Sequence, residues 1–571
     1  MSTSHTFRNC VCASVVAVIA ALFSISGIYA LAQSKDLSVE IAQSAMQRWP
    51  EGHLSSSKPV YWHYQLGALL SGFDAVWYNT ANPRYYHYVQ NTIDTVIDKN
   101  GSIVAPSFVP RPLDQGLLGC QLLLLYGVTE QKNYYLAAKS IHDQLVAAMK
   151  DPSGQRQDSN FVSAAPFLAW YTSVFQQPQD FTLITRQFIR NEPKADNPLA
   201  VGPYLAALID ALPHYPAADP GRGQLRAILR HTASRIARMQ APKSGLWRQS
   251  LAPQSTVAGN IEPASTCLLT YALAKAVRLG YLPRSFMRRT ARAWEGIQQL
   301  ILPSIGVSDP RIVGTFLLTA AEMENQRAGL DSLGKTILLD AWYNSQTRTN
   351  AAGQTELFHY KWDDRSNSGF WLLGHMFRNR GVRTETLTTA PTAANLKGAD
   401  FYLIVSPDNT AKNPHPNYMT EADAAQVARW VHHGGVLILM ENDRDNADIP
   451  HLDLLADKFG LHFNNVLTHH VVGSQHEMGK MLLTKPEGFF TQPHQLFMKD
   501  TCSLTLSGNA RPLLTWKGDI LMATAHYGKG TVVAVADPWL YNEYTDGRNL
   551  EAGYDNFAGG QEFVRWLLQQ P

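Results

Sequence analysis

The chain has 571 residues, 45% hydrophobic and 17% charged, with a formal net charge of +2. That length exceeds one ordinary domain, and that composition excludes a disordered or fibrous chain. The near-neutral balance gives no electrostatic basis for nucleic acid as a partner.

The first 32 residues read as a signal. Arg8 precedes an apolar run from about Val11 to Ile28, and Ala30-Leu31-Ala32 forms an A-x-A pattern before Gln33. A secretory signal over residues 1–32 is therefore expected, with the mature protein exported to the periplasm or secreted. Left uncleaved, the same run would be a membrane anchor, the only route to a membrane that the sequence offers. Cys10 and Cys12 fall inside it. Cys120, Cys267 and Cys502 remain, an odd and widely spaced set that gives no disulfide framework and reads as small core residues.

Residues 37–328 carry a repeat. Tyr85-Tyr86-His87-Tyr88-Val89 opens an amphipathic helix ending near 97, and similar starts recur at Tyr134-Tyr135, Asp180-Phe181 and Ser285-Phe286. Each follows turn chemistry: Asn82-Pro83, Gln131-Lys132-Asn133, Gln177-Pro178 and Leu282-Pro283. The first three are roughly 50 residues apart, the length of a helical hairpin with its loops. Between them lie apolar helices at 117–126, 161–175 and 264–279. About a dozen such patterns, hence six hairpins with apolar inner and amphipathic outer helices, suit a closed double ring.

After residue 328 the texture changes. Residues 329–365 are mixed and polar and read as a linker, with 344–353 exposed. Over 366–571 short apolar runs at 401–405, 436–440 and 531–536 read as buried strands. They alternate with helices at 369–379 and 421–432, which stop at Gly381 and Gly434-Gly435. This βαβ pattern predicts a mostly parallel sheet, so the fold class is α plus α/β in two domains.

Three segments of the helical region carry a resemblance. They are Leu113-Asp114-Gln115, then Asp158-Ser159-Asn160-Phe161 running into Pro166-Phe167-Leu168-Ala169, and finally Ser244-Gly245-Leu246-Trp247 with Gly259-Asn260 and Tyr271-Ala272-Leu273-Ala274-Lys275 through Tyr281. In combination they resemble glycoside hydrolase family 105, the unsaturated rhamnogalacturonyl and glucuronyl hydrolases, with family 88 a close relative, over about residues 40 to 325. The resemblance implies an (α/α)6 barrel and hydration of a 4,5-unsaturated uronic acid at the non-reducing end of a pectin- or rhamnogalacturonan-derived oligosaccharide. No cofactor is implied. Protonating C4 of the vinyl ether generates an oxocarbenium-like cation, water adds at C5, and the hemiketal collapses to release the neighbouring sugar. One carboxyl group with a raised pKa can donate that proton and then accept one from water. By resemblance Asp158 is that acid/base and Asp114 its partner, with His63, Tyr64, Trp247, Arg248 and Asn260 as substrate contacts.

Each residue also has a structural reading. Asp158 and Asp114 both stand where a helix N-cap belongs. Trp62 is expected in the core, while His63 is placed to hydrogen-bond a sugar. Trp247 serves as a stacking platform or as core, and Gly259-Asn260 as a hydroxyl contact or a plain turn. The family's W-A-R-G-N-G-W segment falls on Asn197-Pro198-Leu199-Ala200-Val201-Gly202-Pro203, so the arginine that would grip the uronate is missing. Tyr64-Gln65-Leu66 likewise replaces Y-E-Q. Arg156 or Arg248 substitutes, or the substrate differs, or the chain is a non-catalytic carbohydrate-binding protein derived from that family.

The second domain resembles the flavodoxin-like core of class I glutamine amidotransferases, through Gly434-Gly435-Val436-Leu437-Ile438-Leu439-Met440-Glu441-Asn442. Cys502 lacks the G-x-C-x-G elbow that a nucleophile needs, so that activity is not expected. Asp537-Pro538-Trp539 and Tyr541-Asn542-Glu543-Tyr544 line a crevice or, the preferred reading, pack against the barrel. His432-His433 and His469-His470 are not at metal spacing, and no catalytic metal is expected. The oligomeric state is left open.

Overall fold

The structure is a computed structural model that describes residues 36–54, 60–104, 115–150, 161–194, 197–247 and 261–571. Its first domain is built of helices in outer–inner pairs: α1 (Leu37–Arg48) and α2 (Tyr64–Thr80), α3 (Pro83–Asp94) and α4 (Gly116–Thr129), α5 (Lys132–Lys150) and α6 (Phe161–Val174), α7 (Gln179–Arg190) and α8 (Pro198–Ala211), α9 (Pro220–Arg238) and α10 (Pro263–Arg278), α11 (Met287–Ile301) and α12 (Pro310–Arg327). The second member of each pair touches its counterparts on both sides, and α12 meets α2, so six inner helices close a ring.

Sequence explains which helix goes where. α4 and α6 contain no charged residue and α8 only Asp210, as befits helices covered on every side. Five helix starts use one device. Asn82, Asn197, Asp219, Glu262 and Asp309 each accept a backbone N–H with their side chain while proline occupies the next position. Glycine sets the closeness of the ring. A Cβ at Gly314 of α12 would lie 2.2 Å from the Ala68 carbonyl of α2, and one at Gly116 of α4 would lie 2.2 Å from the Ser163 carbonyl of α6. No side chain fits at either contact.

The second domain has thirteen strands: β1 (Thr336–Asp340), β2 (Thr347–Thr349), β3 (Thr355–Leu357), β4 (Arg383–Leu387), β5 (Phe401–Val405), β6 (Val436–Met440), β7 (Leu461–Thr468), β8 (Lys480–Leu483), β9 (His494–Phe497), β10 (Thr501–Leu506), β11 (Arg511–Trp516), β12 (Asp519–Tyr527) and β13 (Gly530–Val535). The main sheet runs β4-β1-β5-β6-β13-β12-β10-β7, with β11 also on β12. Its first five strands are parallel and follow the 2-1-3-4-5 order of flavodoxin-like sheets. The rest are antiparallel, so the sheet is mixed rather than mostly parallel. Helices α13 (Trp371–Asn379), α14 (Glu421–His432), α15 (Ile449–Ala456), α16 (Asn542–Thr545) and α17 (Asn556–Leu567) complete the domain.

The linker expected at 329–365 is corrected by β1, a strand paired on both sides within that span. Its apolar run is only Ile337-Leu338-Leu339, closed by Asp340, too short to stand out in the sequence. Asn344, expected to be exposed, is fully buried and donates to the Ser406 carbonyl at 2.8 Å. Cys267 and Cys502 are buried free thiols, and Cys120 is half-buried.

The two domains meet at the C-terminal ends of the inner helices. The Arg365 guanidinium lies 4.0 Å from the ring centre of Trp371 and 4.7 Å from that of Trp170 on α6, and it donates to the Tyr78 hydroxyl of α2 at 2.7 Å. Trp77 of α2 donates to the Asp546 carbonyl at 3.0 Å. One end of the ring is thereby covered by the α/β domain.

Candidate functional site

A cavity of about 610 Å³ occupies the ring. All six inner helices contribute, through Ser71, Leu117, Pro166, Tyr204, Leu268 and Thr315 among others. Tyr64, Leu117, Val162 and Leu199, each in the first turn of its helix, line the end away from the α/β domain. The wall is mainly apolar.

The one carboxylate lining the cavity among the described residues is Asp210, near the C-terminal end of α8. Its Oδ1 accepts from the Tyr271 hydroxyl at 2.6 Å and from Lys275 Nζ at 2.6 Å, and Lys275 also donates to that hydroxyl at 2.9 Å. Burial and the adjoining carboxylate push the Tyr271 phenol well above its ordinary pKa, so it remains a donor. Below this group Asp74 of α2 is pushed up to about 8 by burial, only partly offset by Gln121 and Arg365. Further round, Arg278 grips Glu322 through Nε and Nη2, both at 2.7 Å.

The sequence-predicted residues divide. Tyr64 starts α2 and lines the cavity. His63 is the N-cap of the same helix, its Nδ1 accepting from Leu66 N at 3.3 Å, and burial lowers its pKa. Trp247 is corrected: it is 1% exposed and donates to the Ile236 carbonyl at 2.8 Å, so it is core and not a stacking platform. Trp62 is buried, as expected. Asp114, Asp158, Arg156, Arg248 and Asn260 lie outside the described residues.

Segment 197–203 forms an apolar stretch of wall through Leu199, Ala200 and Pro203. No arginine or lysine lines the cavity among the described residues. Sequence reasoning missed Tyr204 and Asp210 as cavity residues. A usable signal was present, since Asp210 is the single charge on an otherwise apolar inner helix. Asp453, Asp457 and His462 bring ligand atoms within metal-binding range. There His462 Nδ1 already pairs with both carboxylates, at 3.4 and 2.9 Å, which supplies an ordinary reason for the grouping.

A closed ring of six helical hairpins around an apolar cavity defines the class, that of the (α/α)6 barrels. Residues 37–199 and 200–305 match the model of Glycosyl Hydrolase Family 88, a match confined to the helical domain. Three solved structures are similar. A glycoside hydrolase of family 105 from C. acetobutylicum shares 21% identity over 51% of this chain and 99% of its own, with a TM-score of 0.45. A family 88 glycosyl hydrolase from Bacteroides vulgatus shares 18% over 50% and 97%, with a TM-score of 0.42. The unsaturated glucuronyl hydrolase of Bacillus sp. GL1, which degrades glycosaminoglycan, shares 10% over 51% and 95%, with a TM-score of 0.40.

Proposed function

We infer that this protein hydrolyses 4,5-unsaturated uronyl oligosaccharides outside the cytoplasm, by protonating and hydrating the double bond. One observation carries the reading. The starts of α4 and α6 are in direct backbone contact, Gly116 against Ser163 and Ala164. Asp114 precedes Gly116 by two residues, and Asp158 precedes Phe161 by three. In sequence, then, the two aspartates precede helix starts that adjoin each other at the cavity end that the α/β domain leaves uncovered.

The chemistry needs little more. Asp158 as a carboxylic acid gives its proton to C4, and the positive charge is shared between C5 and the ring oxygen. Water, steered by Asp114, adds to C5 and returns a proton to Asp158. The C5 hemiketal opens to a keto group, and the freed C1 hemiacetal expels the neighbouring sugar. An apolar wall favours the protonated acid at neutral pH. Incubation with lyase-generated unsaturated oligosaccharides, followed at the ultraviolet band of the double bond, tests the reading: the band should decay in wild type and persist with Asp158→Asn.

A second reading rests on segment 197–203. Its apolar side chains stand where a uronate clamp is expected, which favours a carbohydrate-binding protein without turnover. That protein would bind the same oligosaccharides and leave the ultraviolet band unchanged.

A further inference from the structure

A second cavity of about 570 Å³ lies on the seam between the domains. It opens beyond the carboxyl ends of β6 and β13, where Asn442 and Asp537 follow their strands by two residues, and it is closed on the other side by Thr129 and Glu130 at the end of α4. Open α/β sheets take their ligands beyond the carboxyl ends of their strands, and this volume lies within the usual range of small-molecule sites. The strip around Asp537 and Tyr541, expected to be a packed loop, is split by the fold. Trp539 is fully buried, whereas Asp537, Tyr541 and Glu543 face the cleft.

The cleft is held in shape at a cost. His359 and Tyr360 both have left-handed backbones, with φ of 65° and 56°. Such a pair of non-glycine residues persists only where the surroundings fix it. Here His359 N donates to Asp364 at 3.1 Å and Tyr360 N to the Ser368 carbonyl at 2.8 Å. The buried Lys361 Nζ ties the Asn344 and His359 carbonyls at 2.8 and 3.0 Å. The result is a ledge of stacked rings: His359 lies 4.1 Å from Tyr360 with 18° between planes, and 5.7 Å from Phe358 with 19°. Burial and the Lys361 ammonium hold the imidazole at about 4, so the ledge is uncharged at neutral pH.

The charges around the ledge are mixed and already matched. Arg548 is bound to Asp546 at 2.7 Å, and Arg348 to Glu356 at 2.8 Å and to Glu130. Lys499 faces Asp537, Asp500 and Glu543. Three cations against four acids leave no excess positive charge for phosphate or uronate. They do leave a dense set of amide, hydroxyl and carboxylate groups beside flat rings. That is the chemistry of hydroxyl-rich ligands, which bury one apolar ring face and hydrogen-bond around the edge.

We propose that this seam is a second saccharide site, distinct from the ring cavity, that binds a neutral di- or trisaccharide between the Phe358–His359–Tyr360 ledge and the polar groups of Asn442, Lys499 and Glu543. It does not depend on the chemistry inside the ring. The test is saturation-transfer NMR and calorimetry on the full chain with neutral di- and trisaccharides of rhamnose, galactose and glucose, and with ADP as a phosphate-bearing control. Wild type and Asp158→Asn should bind one of the neutral sugars equally, and Asn442→Ala and Glu543→Gln should weaken it at least tenfold. Thermal melting checks that the variants are folded, with Lys499→Gln as replacement for any that is not. Hydrolysis of unsaturated substrates is read separately, so loss of either claim is visible without the other. The proposal is overturned if no neutral sugar binds, if ADP binds in their place, or if binding is lost in Asp158→Asn and kept in the cleft variants.

Discussion

The ring cavity and the seam cleft are of nearly equal volume and opposite character. The first is walled by Leu117, Pro166, Ala200, Pro203 and Leu268, and its one carboxylate among the described residues is tied down by tyrosine and lysine. The second is lined, among the described residues, by three basic and four acidic side chains interleaved with amides and rings. An apolar wall penalises charge and so keeps a carboxyl group protonated, which suits an acid catalyst. A lattice of compensated charges holds polar groups in fixed directions, which suits recognition without chemistry. The difference follows from how each is built. One is the axis of a helical ring, where every side chain must first serve as core. The other is a junction of loops at the ends of strands, free of that demand.

Four changes separate the two. Asp158→Asn should cut turnover of unsaturated substrates by about 10²–10⁴-fold, the usual contribution of a general acid, and leave seam binding intact. Asp537→Asn acts on the other region through pH. Burial raises the Asp537 carboxyl from 3.8 to about 8, so its favourable contribution is complete below the unfolded value and is lost as pH rises toward 8. The variant should match wild type near pH 4 and be more stable at pH 9 by on the order of 2 kcal/mol or more, read from melting at each pH. Gly116→Ala forces a methyl against Ser163 and should cost about 1–3 kcal/mol with a loss of turnover, since it pushes the two helix starts apart. Arg365→Ala removes the cation from the Trp170–Trp371 sandwich and should cost about 1–2 kcal/mol, seen as separation of the two domains' unfolding transitions in calorimetry.

Much of this architecture is written in the sequence. The uncharged runs around Leu117 and Phe161 become inner helices, and the Asn82-Pro83 turn becomes the cap and first residue of α3. The strands at 401–405 and 436–440 and the helix at 421–432 fall where apolar runs and glycine stops place them. β1 was hidden because Thr336 and Asp340 leave only Ile337-Leu338-Leu339 as an apolar run, too short to carry periodicity. The antiparallel half was hidden because its strands alternate weakly and bend: β10 and β11 both shift register against their partners. The site was legible in part. Tyr64 lines the cavity, but Trp247 turned inward because its indole N–H finds the Ile236 carbonyl inside the core. Motif likeness identifies residue types and not the direction a ring faces. Of the seam cleft, only the Asp537–Glu543 strip was legible, as the less favoured of two readings, since the rest of the lining comes from segments scattered between residues 128 and 548.

The central claim is that the ring cavity hydrates an unsaturated uronide using Asp158. The most direct measurement follows the ultraviolet band of lyase-generated oligosaccharides together with the reducing sugar released. The account predicts equimolar loss of the band and gain of sugar in wild type, with neither in Asp158→Asn. An unchanged band with wild type under conditions where the oligosaccharide demonstrably binds, or full turnover in Asp158→Asn, would contradict it.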